Sequence, residues 1–352
     1  MNQIIVPTGY MGSGSSAITG LLAEIDGFNS DNGSFEYVFM HCPDGLFDLE
    51  DKLLLGNNVI RSDEAMYRFR CFMKELFDEK NFWPGMYKKR ISNEFMTCVD
   101  KFLENITTAN FEGLYWYFSQ NPDCFSMQCI HYLRRLLKVI SCGKIKINPP
   151  VKYNTITIAF PDEEEFYGEA RNFLNSIFIK MGIEKQNLIL DQLLLPHNLH
   201  RIDKYFNDNL KVIVVDRDPR DVFVLNKYVW HPKGDAVPYP LDVYKFIDYY
   251  SKMRKCEKEI TDNRILRIHF EDLVYNYDDI CNKIYDFLGI STTAHINKRL
   301  YFNPDVSIKN TQLYNINEDA YRECMIIEKE LEAYIYNFNS EKTTITSVRE
   351  LF

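Results

Sequence analysis

Apolar residues along the chain follow two rhythms. Short runs closed by turn residues predict strands at Ile4–Val6, Glu36–His41, Thr155–Phe160, Asn187–Leu195, Lys211–Val215 and Arg264–Phe270. Pro7-Thr8-Gly9, Pro161 and Pro196 supply three of the stops. Between the runs, three-to-four spacing predicts helices. One covers Ser15–Glu24, with Ala17, Ile18, Leu21, Leu22 and then Ile25 on its apolar stripe. Others cover Glu64–Phe77, Gln128–Ile140, Glu163–Met181, Leu241–Ile260 and Asp278–Leu288, the last closed by Gly289.

Strands separated by helices imply an α/β fold, a mostly parallel sheet of about five strands flanked by helices. All the predicted strands except Glu36–His41 are expected to share that sheet. Residues 46–148 read as a helical insertion rich in Phe and Tyr, ending at the break Asn148-Pro149-Pro150. The length of 352 residues suits one large α/β domain with an insertion, or two modest domains.

Composition narrows the function. Apolar residues make up 46% of the chain, enough for a sizeable core, and the formal net charge is −9. An acidic chain is not expected to bind nucleic acid, though local cations and backbone N–H groups suffice for a small anion. Nine cysteines, scattered and without a CxxC, fit a reducing cytoplasm better than a disulfide framework or zinc site. The N-terminus lacks the pattern of a signal peptide, and no apolar run approaches the roughly 18 residues of a membrane span.

The candidate chemistry starts at Gly9-Tyr10-Met11-Gly12-Ser13-Gly14-Ser15-Ser16, between a strand and a helix. Glycines let such a turn point N–H groups inward, and the helix terminus adds positive potential. The hydroxyls of Ser13, Ser15 and Ser16 can donate to phosphate oxygens. A plain turn with serine caps has the same letters. A nucleotide-hydrolysing loop ends in Gly-Lys-Ser/Thr, and here Ser15 holds the lysine position. Asp216 imitates a Walker B aspartate, but Arg217 beside it does not help a metal. A P-loop kinase or NTPase is therefore the second reading, and no metal site is expected.

Further segments converge on a family. The loop Gly9–Ser16 resembles the 5′-phosphosulfate loop of sulfotransferases, and Val214–Val222, with Arg217-Asp218-Pro219-Arg220-Asp221, resembles their 3′-phosphate motif. Arg264–Asp272 followed by Ile284–Ile290 resembles the late strand and Phe-Leu-Gly helix end. Phe302–Thr311 is similar to the C-terminal cofactor loop of bacterial members. The resemblance implies one P-loop-type sulfotransferase domain over 1–352, with 46–148 a cap on the acceptor side. The donor it implies is 3′-phosphoadenosine-5′-phosphosulfate, leaving adenosine-3′,5′-bisphosphate. The acceptor is a hydroxyl, expected on a saccharide or lipid.

In that scheme Gly12, Ser13, Gly14, Ser15 and Ser16 hold the 5′-phosphate and sulfate. Arg217 pairs with the 3′-phosphate, and Ser307, Lys309 and Asn310 close over the nucleotide. The general base is sought among His41, Asp44 and Asp191, with Asp48 and His197 nearby in sequence. His131 and His269 read as structural. Tyr115, Trp116, Tyr117 and Phe118 either line an acceptor pocket or pack in the core. The alternative for Arg217 is an ion pair with Asp218 or Asp221, and Arg220 reads as a surface or helix-start residue.

The chain departs from the family pattern twice. Gly12 stands where members often carry Lys or Arg, and Leu225 stands where a serine is expected, with Asn226 adjacent. The first gap requires a cation from elsewhere, Lys227 and Arg61 being candidates, or else implies a catalytically weakened nucleotide-binding homologue.

Overall fold

The computed structural model describes residues 2–29, 35–78, 85–113, 125–145, 154–235 and 237–338. Tyr115–Phe118 and the break at 148–150 lie outside them. In chain order the main elements begin with β1 Ile4–Gly9, α1 Ser15–Ala23, β2 Phe28–Asn29, α2 Leu46–Leu54 and α3 Val59–Phe77. There follow α4 Tyr87–Arg90, α5 Phe95–Ile106, β3 Ala109–Gly113, α6 Phe125–Ile140, β4 Asn154–Ile158 and α7 Glu163–Lys180. The rest are β5 Asn187–Ile189, β6 Leu210–Asp216, α8 Pro219–Val224, α9 Val243–Lys255, β7 Ile265–His269, α10 Phe270–Tyr275, α11 Tyr277–Leu288 and α12 Glu318–Glu330.

The chain divides into two compact units. The first comprises Met1–Cys42, Leu76–Phe95 and Leu174–Phe352. It carries a five-stranded sheet of order β2-β5-β1-β6-β7, every pair parallel. β1 and β6 are buried almost throughout, as a sheet covered on both faces requires. Ile5, Ile213, Val215 and Ile268 pack under Ile18, Leu21 and Leu22 of α1 and Ile284 and Leu288 of α11. A second cluster joins Val222 and Phe223 of α8, Phe246 and Tyr250 of α9, and Ile327 of α12. Each such side chain contributes about 1.5–3 kcal/mol when fully buried.

The second unit comprises Pro43–Glu75 and Met96–Phe173. Aromatic rings make its core, with Phe102 stacked on Phe173 at 5.1 Å and edge-on to Phe69 at 5.8 Å. β3 and β4 form an antiparallel pair within it.

Two strand expectations need correction. Thr155–Phe160 does not join the parallel sheet but forms β4, paired with β3. The other edge of β4 is capped by side chains of α3. Asp63 Oδ1 accepts from Thr157 N at 2.8 Å, and Ser62 Oγ accepts from Ala159 N at 2.6 Å. Those groups take the place of a neighbouring strand. Glu36–His41 is not a strand either. Val38 N donates to the Tyr87 hydroxyl at 2.9 Å and not to a neighbouring strand, and the backbone turns so that Cys42 N donates to Val38 O at 3.1 Å. The fifth strand of the sheet is instead Phe28–Asn29.

Candidate active site

The order of the sheet reverses between β1 and β6, whose chain neighbours lie on opposite sides. In open α/β sheets the crevice beyond the strand ends at such a switch point is where ligands bind. Gly9 pairs with Val215, and Asp216 with His269. Tyr10, Arg217 and Phe270 therefore emerge side by side from three adjacent strands.

The loop after β1 closes on itself, with Ser13 N donating to Tyr10 O at 2.8 Å. Gly12 (φ 82°) and Gly14 (φ 94°) lie in the left-handed region that favours glycine. Gly14 also touches its neighbour closely, since a Cβ there would stand 2.8 Å from Phe270 Cδ2. No side chain caps the N-terminus of α1. Its first N–H groups and the helix dipole are thus directed at whatever occupies the loop.

Arg217 binds this loop directly. Its Nη1 donates to Gly12 O at 2.9 Å, and Nη2 donates to the carbonyl of Asn310. The guanidinium lies 4.7 Å above the Phe270 ring. Burial lowers its pKa, against the opposing fields of Asp221, Glu271 and Asp218. No ion pair with Asp218 or Asp221 forms. Asp218 pairs instead with Arg220 at 2.7 Å. Asp221 accepts from the backbone N of Gln312 and Leu313 at 2.9 and 2.6 Å. That carboxylate holds the segment after Asn310 against the start of α8.

Ser307 ends a short helix Pro304–Ser307, and Lys309 and Asn310 lie in the 3₁₀ turn Ile308–Asn310. Ser307 and Lys309 are half-buried. The structure thus joins the glycine loop, Arg217 and Asn310 through a single side chain.

The candidate bases separate clearly. Asp191 is buried, and desolvation with the field of Glu36 pushes its pKa up to about 7, the hydroxyls of Thr19 and Ser15 opposing the rise. Gln192 next to it, at φ 60°, ties the turn to the loop. Its Oε1 accepts from Thr8 Oγ1 at 3.2 Å, and its Nε2 donates to Ser15 Oγ at 2.8 Å. His41 Nε2 lies 2.8 Å from Gln192 O, so that nitrogen carries the proton. Burial lowers the His41 pKa to about 4, leaving the ring neutral near pH 7. Asp44, in the second unit, accepts from Lys52 Nζ at 2.7 Å while its own N donates to Asp48 Oδ2 at 2.8 Å.

Other expectations resolve differently. Arg220 stands at the start of α8, the helix-start reading, but it is buried and not on the surface, because Asp218 and Glu328 pair with it and its guanidinium lies 4.6 Å from the Tyr314 ring. Asn226 does not replace the missing serine. Its Nδ2 donates to Tyr239 O at 2.9 Å and its Oδ1 accepts from Tyr239 N at 3.1 Å. Lys227 pairs with Glu323 at 2.6 Å, and Arg61 donates to the carbonyls of Lys52 and Asp51.

Sequence reasoning overlooked Trp230, Tyr239 and Arg254. A π-helical turn, Leu225–Trp230, follows α8 and brings the Trp230 indole against Gly12. Tyr239 Oη donates to Met11 O at 2.9 Å. Arg254 lies 4.4 Å from the Tyr10 ring and pairs with Asp216 at 2.9 Å. Nothing in the residue pattern marks these contacts, because each depends on distant segments meeting.

Several buried polar atoms here have no partner among the described residues: Ser13 Oγ, Asp191 Oδ1, Arg217 Nε and Asn310 Oδ1. Buried polar groups are ordinarily satisfied, so these atoms are open to a polar partner.

A family model described as "Sulfotransferase family" matches residues 146–294. No curated protein matches the chain in sequence. Sulfotransferase STF9 from Mycobacterium avium is 11% identical, with a TM-score of 0.36, covering 98% of this chain and 78% of its own. A sulfotransferase domain from the curacin biosynthetic pathway is 12% identical, with a TM-score of 0.28, covering 49% of this chain and 69% of its own. Both likenesses are distant, and the family assignment rests on the matched segment, which contains Asp191, Gln192, Arg217 and Asp221. Over residues 146–294 the chain is similar to the sulfotransferase family.

Proposed function

We propose that this enzyme transfers a sulfuryl group from 3′-phosphoadenosine-5′-phosphosulfate to a hydroxyl on a saccharide or lipid. One observation carries the reading. Arg217 touches Gly12 of the phosphate-type loop and Asn310 of the C-terminal segment at the switch point of a parallel sheet. A nucleotide with anionic groups at its 5′ and 3′ ends suits three such segments meeting at one guanidinium.

In this reading Gly12–Ser16 and the α1 terminus hold the 5′-phosphate and sulfate, with Ser13 Oγ gaining a partner. Arg217 turns its donors from the carbonyls to the 3′-phosphate, where a guanidinium bonds in bidentate fashion. Ser307, Lys309 and Asn310 close over the same phosphate. The acceptor oxygen attacks sulfur in line as the bond from sulfur to the 5′-phosphate oxygen breaks. The acceptor proton passes to the ionised carboxylate of Asp191. Adenosine-3′,5′-bisphosphate leaves. Positioning and preorganised charge do most of the catalytic work.

A kinase or NTPase gains no support at Asp216. Its carboxylate, which would have to meet a metal, is held by Arg254 at 2.9 Å and Arg267 at 3.2 Å. The test is turnover. With the sulfated donor and a panel of saccharide and lipid hydroxyls, chromatography should show bisphosphate released in step with sulfated product. Release of ADP from ATP–magnesium, with no transfer from the sulfated donor, would overturn the proposal.

A further inference from the structure

The helix α6, Phe125–Ile140, exposes the wrong side of itself. Tyr132, Leu133, Leu136, Val139 and Ile140 are 71, 54, 55, 75 and 69% exposed. At 3.6 residues per turn these five fall within an arc of about 120°. The residues turned away from solvent, Ile130, Arg134, Leu137 and Ser141, lie on the opposite side and are only half-buried. An apolar stripe this continuous on a surface helix normally marks an interaction site.

The charge around the stripe says what kind. From Cys124 to Pro161 the sequence contains no Asp or Glu, yet it carries Arg134, Arg135, Lys138, Lys144, Lys146 and Lys152. This basic stretch stands out in a chain of net charge −9. Arg135 and Lys138 continue round the helix from one border of the apolar arc, and Lys144 follows just beyond its end. No carboxylate among the described residues pairs with any of these three.

We propose that this face of α6 docks on an anionic lipid surface. The exposed side chains would enter the boundary between headgroups and acyl chains, and the cations would lie at the level of the lipid phosphates. The face is one side of a single helix carrying large aliphatic residues with a basic border, the form of an interfacial helix. No helix among the described residues is long and apolar enough to cross a membrane, so the contact is peripheral. The proposal does not depend on the sulfuryl-transfer reading.

The test is sedimentation of the full chain with vesicles of phosphatidylcholine alone and of phosphatidylcholine mixed with phosphatidylglycerol. Binding is expected to the mixed vesicles and to weaken as salt screens the cations. The pair Arg135→Glu and Lys138→Glu should weaken it by on the order of ten-fold or more. The pair Leu136→Glu and Val139→Glu should abolish it, with the thermal midpoint confirming that each variant is folded. Equal binding to both vesicles, or none to the mixed ones, would overturn the proposal. So would a concentration-dependent dimer in light scattering that Leu136→Glu dissolves, since the face would then belong to a second copy.

Discussion

The indole of Trp230 occupies the space where a side chain on Gly12 would begin. A Cβ at position 12 would stand 2.8 Å from Trp230 Cη2, and the backbone there has φ 82°. The lysine or arginine common in the family therefore has no room at this place in the loop. From sequence alone, Gly12→Lys looks like a way to restore a missing charge. The structure predicts the opposite. Left-handed backbone costs a non-glycine residue about 1–2 kcal/mol, and the ring contact adds to it. Gly12→Lys should lower the thermal midpoint and give no gain in turnover, and adding Trp230→Ala should recover part of the stability. A stable, faster Gly12→Lys single variant would contradict this packing.

Arg217 should be irreplaceable by lysine. Arg217→Ala should weaken bisphosphate binding by roughly 1.5–3 kcal/mol, the usual worth of bonds to charged groups. Arg217→Lys should recover little of that, because an ammonium cannot make the paired contacts or lie flat on Phe270. Calorimetry on both variants decides it, and an unchanged dissociation constant would remove Arg217 from the site.

Asp191 predicts a pH profile. If its ionised carboxylate accepts the acceptor proton, turnover should rise with pH through a midpoint near 7, where burial has pushed its pKa. Stability should run the other way. The folded state holds this proton to higher pH than the unfolded chain does, so the group's contribution falls as pH rises from about 4 through 7. Asp191→Asn should abolish the rising limb. Above pH 7 it should also stabilise the fold by at least about 1 kcal/mol, one pKa unit being worth about 1.4 kcal/mol. A rising limb that survives in Asp191→Asn would reassign the base.

Asn226 should matter to stability and indirectly to the loop. Asn226→Ala leaves the buried N–H and C=O of Tyr239 without their partner, a cost of about 1–3 kcal/mol. Because Tyr239 Oη holds Met11 O, the loop should loosen as well. Hydrogen exchange at residues 11–14 should quicken in the variant, and an unchanged rate would separate Tyr239 from the loop.

What could be read from sequence follows from how local each signal is. β1, the glycine loop and α1 were legible because apolar run, glycines and helical spacing lie within about twenty residues of one another. β6 with Arg217, and α11 closed by Gly289, were legible for the same reason. Phe28–Asn29 has no pattern to read, being a strand only because β5 pairs with it. Thr155–Ile158 has a sound strand pattern, but its partner is β3, and Ser62 and Asp63, far upstream, occupy its other edge. At the site, Trp230 and Tyr239 were invisible because their roles come from contacts with Gly12 and Met11, far away in sequence.

In the proposed mechanism these segments hold a nucleotide carrying both 5′ and 3′ phosphates, and no metal is required. Isothermal calorimetry with adenosine-3′,5′-bisphosphate in the presence of a chelator tests it most directly. Saturable one-to-one binding is expected, lost or strongly weakened in Arg217→Ala and not matched by ATP with magnesium. Tight binding of ATP–magnesium, with no heat from the bisphosphate, would contradict it.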